Sequence, residues 1–169
     1  MNEIMNKLFE QYNFVKTWEE DNRMFYVNTD KNIISYFILN FIDCTNILDK
    51  EELIRAELDK LEEEYIDAGS DKKGIKYSII NSFKTVQEIS QIDKNTSAIY
   101  LVKFSEENML TKYKNLIYSI EESPIYFKRY ILPYTEKQVV GLKKVLSDYS
   151  DKNIVEILSE MLRKITIRL

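Results

Sequence analysis

Few residues of this 169-residue chain are suited to catalysis, because the sequence contains no histidine and a single cysteine, Cys44. The lack of histidine excludes Ser-His and Cys-His nucleophilic catalysis and every zinc site that binds through imidazole. One thiol forms neither an internal disulfide nor a thiolate zinc site, so we expect a reduced Cys44 in the cytoplasm. Any chemistry would therefore depend on carboxylates, lysines and tyrosines.

Two segments have the beginnings of ligand-binding loops but lack essential residues. Gly69 and Gly74 have the glycine spacing of a phosphate-binding loop, but Ile75 stands where that loop requires a lysine. Residues 93–97 begin like a calcium loop, yet Ala98 occupies the position of its invariant glycine. The sequence therefore predicts no metal ligands and no cofactor.

Carboxylates near the predicted strands were considered as a nuclease site. Two-metal nucleases need carboxylates on neighbouring strands, commonly with an acidic residue two positions before a lysine. Lys103 is suitably placed in a predicted strand, but the residue two positions earlier is Leu101. Asp21, Asp30 and Asp43 flank other predicted strands without completing a set. A diverged, inactive nuclease stays an alternative, and no catalytic residue is predicted.

Basic and aromatic residues are interleaved in a basic–aromatic patch: Lys112, Tyr113, Lys114, Tyr118, Tyr126, Lys128, Arg129 and Tyr130. Such interleaving suits a protein interface or contact with a nucleic-acid backbone, and it also suits an aromatic core with exposed basic flanks. The net charge of −4 favours a protein partner over DNA, although a small nucleic-acid-binding module stays an alternative. The predicted partner-binding residues are Glu121, Glu122, Tyr126, Lys128, Arg129 and Tyr130.

The N-terminal quarter of the chain predicts a helix followed by a small antiparallel sheet. Apolar residues recur at helical spacing over residues 3–12. Two β-prone runs, 14–18 and 24–29, are separated by polar turn residues, which indicates a hairpin. The near-continuous apolar run 33–42 predicts a third strand that is buried on both faces. Trp18 is expected to pack within this sheet.

A capped helix is predicted after the third strand. Asp49 is the candidate N-cap, and Ile54, Leu58 and Tyr65 belong to an apolar stripe at helical spacing. The glutamates of this helix fall mostly outside that stripe, which predicts a solvated acidic face or, alternatively, a docking surface for a basic partner. They are Glu57, Glu62, Glu63 and Glu64.

The second half of the chain predicts one further strand, over 97–104, and otherwise helices. Ser105 is the candidate cap of the next helix. Ser123 followed by Pro124 is a helix start signal, which predicts a helix over 125–132. Other helices are predicted over 76–90, after Thr135 and after Asp151, with a connecting loop over 68–76.

The predicted architecture is a single domain spanning residues 1–169. Its fold class is α+β, with a small antiparallel sheet from the N-terminal hairpin and strands, followed by a mainly helical C-terminal half. The hydrophobic content of 44% and the charged content of 31% exclude a disordered chain. The longest apolar run is too short to span a bilayer, and the N-terminus does not resemble a secretory signal. We therefore expect a cytoplasmic protein.

Three segments carry a family resemblance: DKNTS at 93–97, IYLVK at 99–103, and IEESPIYFKRYILPYT at 120–135. The last has an acidic pair, an aromatic pair, two basic residues, an aromatic, an aliphatic and then Tyr-Thr. Together they resemble the small middle components of bacterial three-component ABC-ATPase systems, of which the Lamassu anti-phage system is the best-known relative. The hairpin region 14–42 is not part of the resemblance.

The resemblance implies a non-catalytic accessory subunit of an anti-phage defence complex. Such a subunit would bind an SMC- or Rad50-like ATPase and help to hold an effector nuclease inactive until foreign DNA is sensed. The implied partners are therefore the ATPase subunit and the effector subunit, with at most weak or indirect DNA contact and no membrane contact.

Overall fold

The computed structural model describes residues 1–28, 35–66, 92, 95–106, 108–121 and 127–139. Within these residues, helices and strands alternate along the chain. In chain order they are α1 (Asn2–Gln11), β1 (Phe14–Glu20), β2 (Arg23–Asn28), β3 (Tyr36–Asp43), α2 (Lys50–Ile66), β4 (Thr96–Phe104), α3 (Asn108–Lys112), α4 (Lys114–Glu121) and β5 (Lys128–Thr135). Residues 136–139 are also helical.

The strands form one five-stranded mixed sheet in the order β1-β2-β3-β4-β5. The pairs β1–β2 and β2–β3 are antiparallel, whereas β3–β4 and β4–β5 are parallel. Parallel neighbours need a crossover connection, and the chain segments that contain α2 and α3–α4 make the two crossovers. The inner strands β3 and β4 are buried along most of their length, as expected for strands covered on both faces.

Local sequence explains the N-terminal elements. Helix α1 buries the apolar residues that recur at helical spacing, and it stops before Asn13, whose φ of 63° lies in the left-handed region. Asp21, with a φ of 51°, helps to form the turn between β1 and β2. Asparagine and aspartate adopt this conformation more readily than other non-glycine residues. The predicted helix over 3–12, the hairpin and the third strand are confirmed.

The sheet carries a different kind of packing on each face. Side chains of a strand alternate between faces, so Tyr26 and its register partner Phe37 lie on one face and Arg23 and its partner Asn40 on the other. Helix α1 covers the first face, here called the α1 face, where the Phe9 ring contacts those of Tyr26 and Phe37. Helix α2 covers the second, the α2 face, through ion pairs to sheet arginines. Trp18 packs partly buried against the core, as predicted.

The predicted fold class is wrong in its second half. The sheet is mixed rather than antiparallel, and the segment predicted as a helix over 125–132 contributes to strand β5. Eight residue pairs with β4 hold β5 in the sheet, and this tertiary pairing outweighs the helix start signal of Ser123 and Pro124. Pro133 is compatible with β5 because this is an edge strand, where a missing N–H costs no ladder bond.

Other predictions for the second half are confirmed or untested. The strand over 97–104 is confirmed as β4, and a helical region follows it as α3 and α4. The predicted loop over 68–76 and the helices over 76–90 and after Asp151 lie outside the described residues. Most of the helix predicted after Thr135 also lies outside them. Its start is visible, because the backbone N–H of Thr135 donates to Gln138 Oε1 at 2.8 Å in the manner of a capping box.

Candidate partner-binding surface

The predicted partner-binding residues occupy different environments. Lys128 is exposed at the start of β5, and Tyr130 is half-buried two residues later on the same face. Arg129 lies on the α2 face and is buried. Glu121 is half-buried at the end of α4. Glu122 and Tyr126 lie outside the described residues, and partner binding by the six residues stays a prediction.

Glu121 caps the free edge of the sheet. Its Oε1 accepts a hydrogen bond of 2.9 Å from the backbone N–H of Ile131 on β5. Pro133, two residues after Ile131, has no backbone N–H. The backbone N–H of Thr135 donates to Gln138 Oε1. The outward donors of β5 from 131 to 135 are thus all occupied or missing. Burial raises the pKa of Glu121, and the hydrogen bond from Ile131 partly offsets that shift.

Arg129 is committed to an ion pair inside the chain. Its guanidinium pairs with the carboxylate of Glu62 on α2, and both side chains are buried. Desolvation by burial lowers the pKa of Arg129, yet arginine stays charged because its pKa starts far above neutrality. Arg129 therefore links the edge strand to α2 and is not available to a partner in this conformation.

Arg23 makes the equivalent link at the other side of the sheet. This buried guanidinium on β2 pairs with Glu64 and lies 3.7 Å, Nη2 to Oε2, from Glu57, both on α2. The predicted solvated acidic face is consequently wrong for these two glutamates and for Glu62, whereas Glu63 is exposed. These carboxylates fix α2 across the sheet. Because they already pair with arginines of the sheet, they offer little charge to a basic partner.

Asn40 and Tyr100 lie between the two arginine links on the α2 face. They are register partners on β3 and β4, and Asn40 is also the register partner of Arg23. Both are fully buried, and among the described residues neither the Asn40 amide nor the Tyr100 hydroxyl has a hydrogen-bond partner. Burial raises the pKa of Tyr100, so its hydroxyl stays protonated. A polar row thus crosses an otherwise apolar interior.

The carboxyl ends of the parallel strands carry a second group of charges. Asp43 and Lys103 are register partners at the ends of β3 and β4, and Lys103 Nζ lies 2.8 Å from Glu136 Oε2. Asp43 accepts hydrogen bonds from the N–H of Thr45 at 2.9 Å and from its hydroxyl at 2.6 Å, which lower the pKa of Asp43. The hydrogen bond to Lys103 likewise lowers the pKa of Glu136. Lys103 and Glu136 thus form an ion pair, whereas Asp43 is held by hydrogen bonds from Thr45.

Metal binding, thiol reactivity and membrane insertion have little support among the described residues. Within the described ranges, no group of three or more Cys, Asp or Glu side chains is placed to hold a metal ion. Asp30, one of the three aspartates considered for a nuclease site, lies outside them. Cys44 is buried, and burial raises its pKa to about 11, which makes it a poor nucleophile. Among the helices that could be searched, none is long and apolar enough to cross a membrane.

A groove of about 800 Å³ lies between the start of α2 and the α3–α4 region. Leu48, in the loop before α2, is fully exposed, and its neighbour Ile47 is largely exposed as well. The buried ring of Tyr113 stacks on Phe104 of β4 at 5.5 Å between centroids and supports the groove from beneath. The lining comprises Leu48, Asp49, Glu51, Arg55, Lys112, Tyr113, Asn115, Leu116 and Ser119.

The described residues define an α/β protein with a mixed sheet. Two sheet arginines, Arg23 and Arg129, pair with glutamates of α2, and a groove lies between α2 and α3–α4. A family model matches residues 35–158, described as "ABC-three component (ABC-3C) system Middle Component 1". The chain therefore belongs to this family of middle components, and β3, α2, β4 and β5 all fall within the match. No curated protein and no solved structure matches the chain. A middle component implies interaction with the other components of its system.

Sequence reasoning missed three polar residues buried on the α2 face, and it missed the exposed Leu48. The three buried residues are Arg23, Asn40 and Tyr100. Asn40 interrupts the apolar strand β3, and a polar residue within a buried run is a signal for an internal partner. Arg23 gives no such signal, because it follows polar turn residues at the start of β2. Tyr100 carries no comparable signal, because tyrosine is common in strands. Leu48 follows Ile47 in the loop before α2, and an apolar pair in a loop does not reveal which side chain is exposed.

Proposed function

We propose that this chain is a non-catalytic accessory subunit of a Lamassu-like anti-phage defence complex. In this role it binds an SMC- or Rad50-like ATPase and helps to restrain an effector nuclease until foreign DNA is sensed. The observation that carries the proposal is the family match over residues 35–158. The resemblance of residues 93–135 to Lamassu-type middle components supports the finer assignment.

The arrangement of charges gives further support for a binding role. Arg129 with Glu62, and Lys103 with Glu136, form ion pairs within the chain. The buried Arg129–Glu62 pair joins β5 to α2, so Arg129 already has a partner within the chain. Lys128 is exposed at the start of β5, where a partner could reach it.

The proposal is tested by expressing this chain together with the ATPase and effector components of its three-component system. We expect the three proteins to purify as one complex, and phage plating to rise when the gene for this chain is deleted. The isolated chain is expected to show neither ATP hydrolysis nor DNA cleavage. A monodisperse chain that never associates with the other components would overturn the proposal.

DNA binding is the competing outcome of the same experiment. Charge reversal at Lys128 is the informative change, because Arg129→Glu would place two carboxylates together in the interior and unfold the protein. Steeply salt-dependent binding of labelled DNA by the isolated chain, weakened in Lys128→Glu, would favour a nucleic-acid-binding module. We expect no such binding.

A further inference from the structure

We infer that the groove between α2 and α3–α4 binds an acidic amphipathic helical segment of another component of the same complex. The inference rests on the proposed function, because it names the surface through which this subunit assembles. Its starting point is Leu48, a large apolar side chain that is fully exposed at the mouth of the groove.

Apolar surface is concentrated around this groove. Ile47 lies beside Leu48, and Tyr118 is exposed on α4, one helical turn from the groove residue Asn115. Leu116 and Tyr113 contribute apolar atoms to the lining. Six of the nine lining residues are polar or charged, so Leu48, Tyr113 and Leu116 offer a narrow apolar strip. Such a strip is suited to the apolar stripe of a helix, which presents residues at spacings of three and four.

The charges on the two walls differ, and this difference selects the partner. On the α2 wall, Glu51 Oε1 lies 3.0 Å from Arg55 Nη2, and Asp49 accepts the backbone N–H of Glu52 at 3.0 Å. On the opposite wall, Lys112 has no carboxylate partner among the residues that the structure describes, and its Nζ lies 5.5 Å from the Tyr113 ring centroid. The open charge on this α3–α4 wall is therefore positive.

Lys114 extends this positive wall beyond the groove. Its Nζ lies 5.7 Å from the ring centroid of Tyr118, and no described carboxylate pairs with it. Carboxylates placed along the polar side of a bound helix would complement both Lys112 and Lys114. Such complementarity steers the partner to the groove and sets its register.

A protein segment fits this surface better than DNA. The exposed side chains of Leu48 and Ile47 can pack against the apolar stripe of a helix, whereas they offer nothing to a phosphate. These two lysines and Tyr118 also belong to the basic–aromatic patch identified in the sequence. The groove thus assigns part of that patch to a protein interface.

The first experiment measures complex formation by wild-type and variant chains with the ATPase and effector components. Leu48→Glu is expected to weaken co-purification about tenfold or more, as for a central apolar contact of an interface. Val15→Glu is the matched control, because Val15 is also an exposed apolar residue but lies on β1, at the far edge of the sheet. Its complex should form normally.

A charge-reversal experiment tests the chemistry of the partner. Lys112→Glu with Lys114→Glu should weaken the complex, whereas Lys7→Glu, an exposed lysine on α1, should leave it unchanged. A photo-crosslinker at position 48 should then attach to an acidic helical segment of another component, and Glu→Lys changes in that segment should restore binding to the doubly reversed chain.

The outcomes separate this inference from the proposed function. Failure of every version of the chain to form a complex would overturn both. A complex that tolerates Leu48→Glu, or that crosslinks through position 15 and not position 48, would overturn the groove inference alone. Crosslinks to a second copy of this chain, or DNA binding lost in the lysine variant but kept in Leu48→Glu, would also overturn it.

Discussion

The two faces of the sheet are held to their helices by different interactions. On the α1 face, the Phe9 ring contacts Phe14, Tyr26 and Phe37 with centroids 4.5–5.3 Å apart. On the α2 face, helix α2 also buries apolar side chains, and in addition Arg23 and Arg129 of the sheet pair with its glutamates. Aromatic packing tolerates small shifts, whereas buried ion pairs demand one position of the helix. The ion pairs of the α2 face therefore fix the position of α2 on the sheet. They also cost more desolvation free energy than the aromatic packing of the α1 face.

The most damaging change on the α2 face is expected to be the loss of one member of the buried pair. Glu62→Leu leaves the Arg129 guanidinium buried without its counter-charge, which should lower the free energy of unfolding by about 3–5 kcal/mol. Urea denaturation followed by circular dichroism measures this loss. The double variant Glu62→Leu with Arg129→Met should recover most of it. A double variant as unstable as the single one would show that packing, not charge, dominates this face.

A comparable loss is expected from the centre of the α1 face. Phe9→Ala removes a buried ring and its three aromatic contacts, which should cost about 3–5 kcal/mol. The same urea titration applies, with Val15→Ala as the control because that side chain is half exposed. A loss below about 1 kcal/mol would mean that α1 contributes little to the stability of the sheet.

A pair of tyrosine variants separates the two faces more finely. Tyr26 donates its hydroxyl to Asn6 Oδ1 on α1, so Tyr26→Phe should destabilise the protein by about 1 kcal/mol. The Tyr100 hydroxyl is buried without a described partner, so Tyr100→Phe should be neutral or stabilising. Both are measured by denaturant unfolding. A marked destabilisation by Tyr100→Phe would reveal a hydrogen bond within the polar row.

The last comparison concerns the change of stability at alkaline pH. Burial raises the pKa of Tyr26 from its ordinary value of 10.0 to about 12. An unfolded chain loses this proton near pH 10 while the folded chain keeps it, so the Tyr26 contribution to stability is present below pH 10 and disappears towards pH 12. The stability difference between wild type and Tyr26→Phe should narrow over this range. A constant difference between pH 9 and 12 would contradict the burial effect.

How far sequence alone predicts this fold depends on how local each interaction is. The hairpin of β1 and β2 is closed by the turn at Asp21, so its pairing was predictable from two neighbouring β-prone runs. Strand β5 pairs in parallel with β4, and no turn signal accompanies a parallel crossover. Its Ser123–Pro124 start and the spacing of Tyr126 and Tyr130 suggested a helix, because the partner strand that decides the outcome lies outside the segment.

The predicted partner-binding residues also divide into those set by local sequence and those set by long-range contacts. The exposure of Lys128 could be predicted, because this charged residue lies at the start of its segment, and the structure shows it exposed. Arg129 has the same kind of charge at the next position, yet it pairs with Glu62, a residue more than sixty positions earlier in the chain. Such a pairing leaves only an indirect signal in one sequence. The exposed Leu48 was likewise missed, because exposure is a property of the folded surface.

The occupied donors of β5 have a consequence for how this protein behaves when it is abundant. An edge strand with free N–H groups serves as a template on which further strands add, which leads to domain swapping and aggregation. On β5, Glu121, Pro133 and Gln138 remove that template between positions 131 and 135. At this edge the sheet therefore resists growth by strand addition, which limits self-association through β5 when the protein is abundant.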